Sequence, residues 1–182
     1  MMKKMVCLCL VLMLFFVFCS CGAKMTAAEN YLIAVKQLDG KGIQSSLIMP
    51  DEALQRCFNH IGEEERTALS ELYALTVYDI GETKTASGSK YVEVSVKLPD
   101  MEKILSLAKM QILVTAESAE QVVRTMLADG TIAKTMMKQS DFYVKMTENA
   151  DGEFLIDRND EENKAFFDAI ALENMMTFFL NH

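Results

Sequence analysis

The sequence predicts an α+β fold, with N-terminal helices packed on a curved, mainly antiparallel sheet and a closing C-terminal helix. Three observations carry this. Helix caps and apolar positions at helical spacing occupy residues 26–74. The period then changes to two at Tyr91–Leu98, where Val92, Val94, Val96 and Leu98 alternate with Tyr91, Glu93, Ser95 and Lys97. Finally, Asn149-Ala150-Asp151-Gly152 is a hairpin signal between two short strand-like runs, ahead of a last helical stretch.

In chain order, Thr26-Ala27-Ala28-Glu29 is a capping-box pattern that opens the first helix. Ala28, Leu32, Val35 and Leu38 line its apolar face, and Asp39-Gly40-Lys41-Gly42 reads as its end. Pro50 and Asp51 open a short second helix that runs to about Phe58. Gly62 breaks the chain before a third helix, Glu63 to Ala74, with three glutamates at its positive end. Leu75 to Ile80 is strand-like, and Ala86-Ser87-Gly88-Ser89 is the turn that makes a hairpin with Tyr91–Leu98.

Pro99-Asp100 starts a helix with a stripe of Met101, Ile104, Leu105, Ala108 and Ile112. A second helical segment, Ser118 to Ala128, is stopped by Asp129-Gly130. Residues 131–139 fit helix or strand equally. Asp141 to Thr147 is a strand with Phe142, Val144 and Met146 on one face, and Phe154 to Asp157 returns beside it. Asp160 caps the final helix, which carries Phe166, Phe167, Ile170, Met175 and Phe179.

The N-terminus sets the compartment. Lys3 and Lys4 precede an uncharged apolar run, Val6 to Phe18, of 13 residues. That is short of the roughly 20 a spanning helix needs and suits an export signal. The run ends in Cys19-Ser20-Cys21-Gly22, which resembles the box of bacterial lipoproteins, with Phe18 where leucine is usual. The resemblance implies cleavage before Cys21 and a diacylglycerol on its thiol. The expected organisation is therefore a signal peptide over 1–20, a lipidated N-terminus and short linker over 21–25, and one α+β domain over 26–182. Two or more acyl chains hold a protein stably at a membrane, so the expected place is the outer face of the cell membrane.

Of the five cysteines, Cys7, Cys9 and Cys19 leave with the signal and Cys21 carries the lipid. Cys57 alone remains as a thiol, so the domain has no internal disulfide and relies on its core. Lys3 and Lys4 also leave, and the mature chain then has 16 basic residues against 26 acidic, a net charge of −10. A nucleic-acid binder needs a basic face, and no lysine or arginine cluster supplies one.

Three stretches carry a family resemblance: the first helix Glu29–Asp39 (ENYLIAVKQLD), the hairpin Phe142–Asp157 (FYVKMTENADGEFLID), and Asn159–Lys164 (NDEENK). With the order of elements they resemble the cone-shaped fold of the nuclear transport factor two-like superfamily, and more narrowly lipoproteins of Gram-positive bacteria built on that cone. The resemblance implies a sheet wrapped on a long first helix, often around a cavity, and no single function. Enzymes on this cone commonly use an Asp, Tyr or His in the cavity, which marks Tyr31, Tyr91, Asp141 and Tyr143 as candidate lining groups. Homodimers through the sheet face are common in the superfamily and would use Tyr91.

No catalytic, nucleotide or metal motif stands out, and no cofactor is implied. Cys57 and His60 share a helix face, but zinc wants about four ligands, and the other histidine is the terminal His182. Asp157, Asn159, Asp160, Glu161 and Glu162 cluster oxygens as calcium loops do, yet Glu162 stands where such a loop needs glycine. A capped helix start explains the same residues. The ten methionines from Met25 onward supply adaptable packing.

Two functional readings follow. The first is a membrane-anchored, non-enzymatic module that binds a small ligand or a protein partner. The alternative is a small hydrolase or isomerase using a carboxylate in a cone cavity, or a structural protein of the envelope.

Overall fold

The computed structural model describes residues 25–182. The export signal and Cys21 lie outside them. Among the described residues the order is α1 (Ala27–Gln37), α2 (Gly40–Ser45), α3 (Glu52–His60), α4 (Glu63–Ala74), β1 (Val77–Ala86), β2 (Ser89–Pro99), α5 (Met101–Thr115), α6 (Ala119–Ala128), α7 (Thr131–Thr135), β3 (Met137–Glu148), β4 (Phe154–Ile156), a 3-10 turn (Glu161–Asn163), α8 (Lys164–Ile170) and α9 (Leu172–Asn181). The four strands form one open antiparallel sheet in the order β1-β2-β3-β4. The fold is α+β, with helices at the N-terminus, an antiparallel sheet and a closing C-terminal helix.

Five of the helices in the described residues, α1, α2, α3, α5 and α6, start at a side-chain cap. The Thr26 hydroxyl accepts the Glu29 N–H at 3.2 Å, Asp51 that of Leu54 at 3.0 Å, and Asp100 that of Lys103 at 3.1 Å. Ser118 and Gln121 complete a reciprocal capping box on α6. Ser87 and Gly88, both at positive φ, join β1 to β2 in a two-residue turn whose handedness matches the strand twist.

The core lies between one face of the sheet and the helices. Val92, Val94, Val96, Leu98, Val144 and Met146 meet Leu69, Leu72, Tyr73, Ile104 and Phe166, all buried. Burial of this kind drives the assembly at about 25 cal/mol per Å² of apolar surface. The resemblance implied a sheet wrapped on the first helix. The main contacts of α1 are instead with α2, α4 and β4.

Several boundaries differ from the sequence reading, each for a visible reason. The first helix ends just before Asp39-Gly40-Lys41-Gly42, as read, but that stretch also opens a second helix. The chain turns one residue earlier, at Leu38 in the left-handed region, and Asp39 then caps α2. The glycine at 42 serves packing, since a Cβ there would lie 2.9 Å from that of Ala34. β1 begins at Val77 and runs on to Ala86, past a bulge between Ile80 and Thr83. Residues 131–139 are both helix and strand, divided at Met136. The closing helix is broken in two by Ala171 at φ 49°, beside the Ile170 carbonyl that accepts the Tyr73 hydroxyl at 2.8 Å.

Candidate functional site

The helices cover one face of the sheet and leave the other open. Strand alternation sends Tyr91, Glu93, Ser95 and Lys97 of β2 to the open face, with Gln139, Asp141, Tyr143 and Lys145 of β3. On β1, Asp79 lies opposite Ser95 and Lys84 opposite Tyr91. All of these are exposed or half-buried. Three of the four residues marked from the sequence, Tyr91, Asp141 and Tyr143, therefore come together, but on this outer surface and not around an internal cavity. Tyr31 is apart from them, buried on α1.

The register sets the contacts across the open face. Glu93 is opposite Tyr143, and Tyr91 is opposite Lys145, so the two tyrosines are diagonal neighbours on adjacent strands. The Ser95 hydroxyl donates to Asp141 at 2.6 Å. The Lys84 ammonium lies 5.7 Å from the Tyr143 ring centroid, within reach of a cation–π attraction. Tyr143 is 56% exposed. Lys84 and Lys97 stand among Asp79, Glu93 and Asp141, while Lys145 is taken up by acids at the edge, so the face carries both signs and is slightly acidic.

One edge of the face is fixed by a polar clamp. The Lys145 ammonium meets Asp160 at 2.9 Å and Glu162 at 2.8 Å. The hydrogen bonds it donates to Glu162 and to Asp160 hold the Lys145 ammonium above its ordinary range. The same ammonium, with the Glu162 N–H, holds the Asp160 carboxyl below its own. Buried Asn163 ties the loop to β3 through the backbone of Lys145. The acidic cluster read as a calcium alternative is thus occupied internally, with Asp157 accepting the Asn159 N–H and Asp160 that of Glu162.

Tyr31 borders a separate small cleft of about 150 Å³ with Arg158, Phe167 and Glu173. Arg158 pairs with Asp51 and with Glu173, the latter at 2.6 Å, and its guanidinium lies 5.6 Å from the Phe167 ring centroid. Burial first, opposed by Arg158, pushes the Tyr31 hydroxyl well above its ordinary pKa, so it stays protonated. Sequence reading missed this group because Asp51, Arg158 and Glu173 sit on separate elements with no shared local pattern.

Cys57 and His60 do not form a pair. The Cys57 thiol is buried against Thr177 of α9 at 3.8 Å, while exposed His60 bonds the Arg56 carbonyl at 2.8 Å. Among the described residues no group of three or more His, Cys, Asp or Glu is placed to hold a metal. No helix among them is long and apolar enough to cross a membrane.

No protein-family model and no curated protein matches the chain. One solved structure is similar, a Bacillus subtilis protein described as "putative lipoprotein (ycdA)". It is 17% identical over 78% of this chain, with a TM-score of 0.36, and the chain spans 44% of that protein.

Proposed function

We propose that this chain is exported, is tethered by a lipid on Cys21 to the outer face of the cell membrane, and works there as a non-enzymatic module that binds a protein partner. The tether rests on the charged, 13-residue apolar and Ser20-Cys21 pattern of the N-terminus. The binding role rests on one observation: the open sheet face presents Tyr91 and Tyr143 as diagonal neighbours among charges of both signs. Tyrosine is enriched at interface cores, where it supplies area at low entropic cost. A rigid sheet fixes both rings before a partner arrives, which lowers the cost of association.

An enzymatic reading has less support. Tyr31 is the buried one of the four residues marked from the sequence, and the cleft it borders, at about 150 Å³, is below the roughly 300 Å³ at which small-molecule sites begin. Of the two acids that line this cleft, Glu173 is paired with Arg158 and Asp168 is exposed to solvent.

The test places a photo-crosslinking amino acid at position 143 of the full chain in its own cells. A discrete adduct that Glu93→Arg removes supports the reading, and an adduct of twice the chain mass identifies the partner as a second copy. An adduct at Lys109, on the helical side, with none at 143 contradicts it. For the tether, Cys21→Ala is expected to leave the detergent phase or remain unprocessed. Unchanged partition and processing would sink that half.

A further inference from the structure

A second cleft, of about 560 Å³, lies where the described chain begins. Met25 and Thr26 line it, with Lys90 at the start of β2, Met146 of β3, and Phe154 and Leu155 of β4. Thr83 and Gly152 also border it, so the β1–β2 and β3–β4 turns lie at the same end of the molecule as the start of α1. The volume is that of a ligand site, typically about 300–1,000 Å³.

The cleft is two-sided in chemistry. Met146 is buried and Phe154 and Leu155 are half-buried, which makes an apolar floor. Asn30, Ser45 and Thr83 place amide and hydroxyl groups on the rim, where the exposed Glu153 carboxylate accepts from the Asn149 amide at 3.4 Å. The Lys90 ammonium sits 3.7 Å from the Phe154 ring centroid, where it covers that floor. A cation–π contact at a surface is weak and easily exchanged. A phosphate that drew Lys90 outward would uncover the ring for an acyl chain.

Position supplies the occupant. Cys21 is four residues before Met25, and four residues reach at most about 14 Å. A chain anchored there holds this cleft against the membrane surface, where lipid is at high effective concentration.

We propose that the cleft takes one phospholipid of that membrane, with an acyl chain on Met146, Phe154 and Leu155 and the phosphate at Lys90. This rests on the tether proposed above. It adds a lipid site at one end of the domain, distinct from the partner face of the sheet.

The chain has no tryptophan, so Phe154→Trp in the full-length protein gives one emitter in the cleft. Phe58→Trp gives a control beyond the other end of α1, where Phe58 borders a cleft with Leu38. Each is reconstituted into phosphatidylcholine vesicles brominated along the acyl chain, after circular dichroism has shown an unchanged fold. Leu155→Trp replaces Phe154→Trp if that variant does not fold. The expected result is quenching several-fold stronger in the cleft than at position 58, reduced by Lys90→Glu, with one lipid retained per chain in native mass spectrometry. Equal quenching at the two positions, or no retained lipid, in protein that floats with the vesicles overturns the cleft site and leaves the tether standing. Protein that does not float overturns both.

Discussion

Asn163 completes β3 where β4 stops. Its carboxamide accepts the Lys145 N–H at 2.8 Å and donates to the Lys145 carbonyl at 3.0 Å and the Asp157 carbonyl at 2.9 Å. β4 pairs with β3 only from Met146 to Glu148. One fully buried side chain thus stands in for the next rung of the ladder and fixes the loop that carries Asp160 and Glu162.

Asn163→Ala leaves three backbone groups without these partners. At about 1 kcal/mol each, the expected loss is about 3 kcal/mol, or a fall in Tm of about 6–12 °C for a domain of this size. Thermal unfolding checks it, and a change below about 0.5 kcal/mol would show that water replaces the clamp without cost.

The ion cluster beside it makes a pH-dependent contribution. Asp160 has its folded pKa lowered from 3.8, so its share of stability is present above that value and is lost as pH falls through the lowered one. Lys145 has its folded pKa raised from 10.5, so its share is present below that value and is lost as pH rises through the raised one. The Tm difference between the native chain and Lys145→Gln should hold steady over about pH 5 to 8 and shrink below Asp160's ordinary range. A difference that persists unchanged in strong acid would contradict the pairing.

Two buried hydroxyls should behave in opposite ways. Tyr73→Phe removes the bond to the Ile170 carbonyl and should cost about 1–2 kcal/mol. The Thr76 hydroxyl is buried without a hydrogen-bond partner, so Thr76→Val should be neutral or stabilise by up to about 1 kcal/mol. Urea unfolding of the two variants separates them, and equal losses would refute the difference.

Much of the fold was legible because its causes are local. The cap at Thr26, the β2 alternation and the Asn149–Gly152 turn each act within a few residues. What was not legible depends on partners distant in sequence. Gly42 looks like a helix stop until Ala34 is seen against it. The break at Ala171 lies beside the carbonyl that takes Tyr73 from another helix. At the open face, alternation already placed Tyr91 apart from Val92. That Tyr143 lies diagonal to it needed the β2–β3 register, which an intervening stretch of helices hides from the sequence.

Tyr143 is expected to matter for binding and little for folding. Tyr143→Ser should cost less than about 1 kcal/mol, since only a cross-strand surface pair is lost. The same change should remove partner capture at the cell surface. Capture that survives in both Tyr143→Ser and Tyr91→Ser would move the interface elsewhere.

The five tyrosines report directly on whether a partner covers the open sheet face. Tyr31 and Tyr73 are buried, while Tyr78, Tyr91 and Tyr143 are reachable by solvent. A membrane-impermeant tyrosine reagent is applied to intact cells and, separately, to the purified chain, and modification is read by peptide mass. A partner on the open face leaves Tyr91 and Tyr143 protected on cells, Tyr78 modified equally in both, and Tyr31 and Tyr73 unreacted in either. Equal modification of Tyr143 on cells and in the purified chain would contradict a partner on the open sheet face.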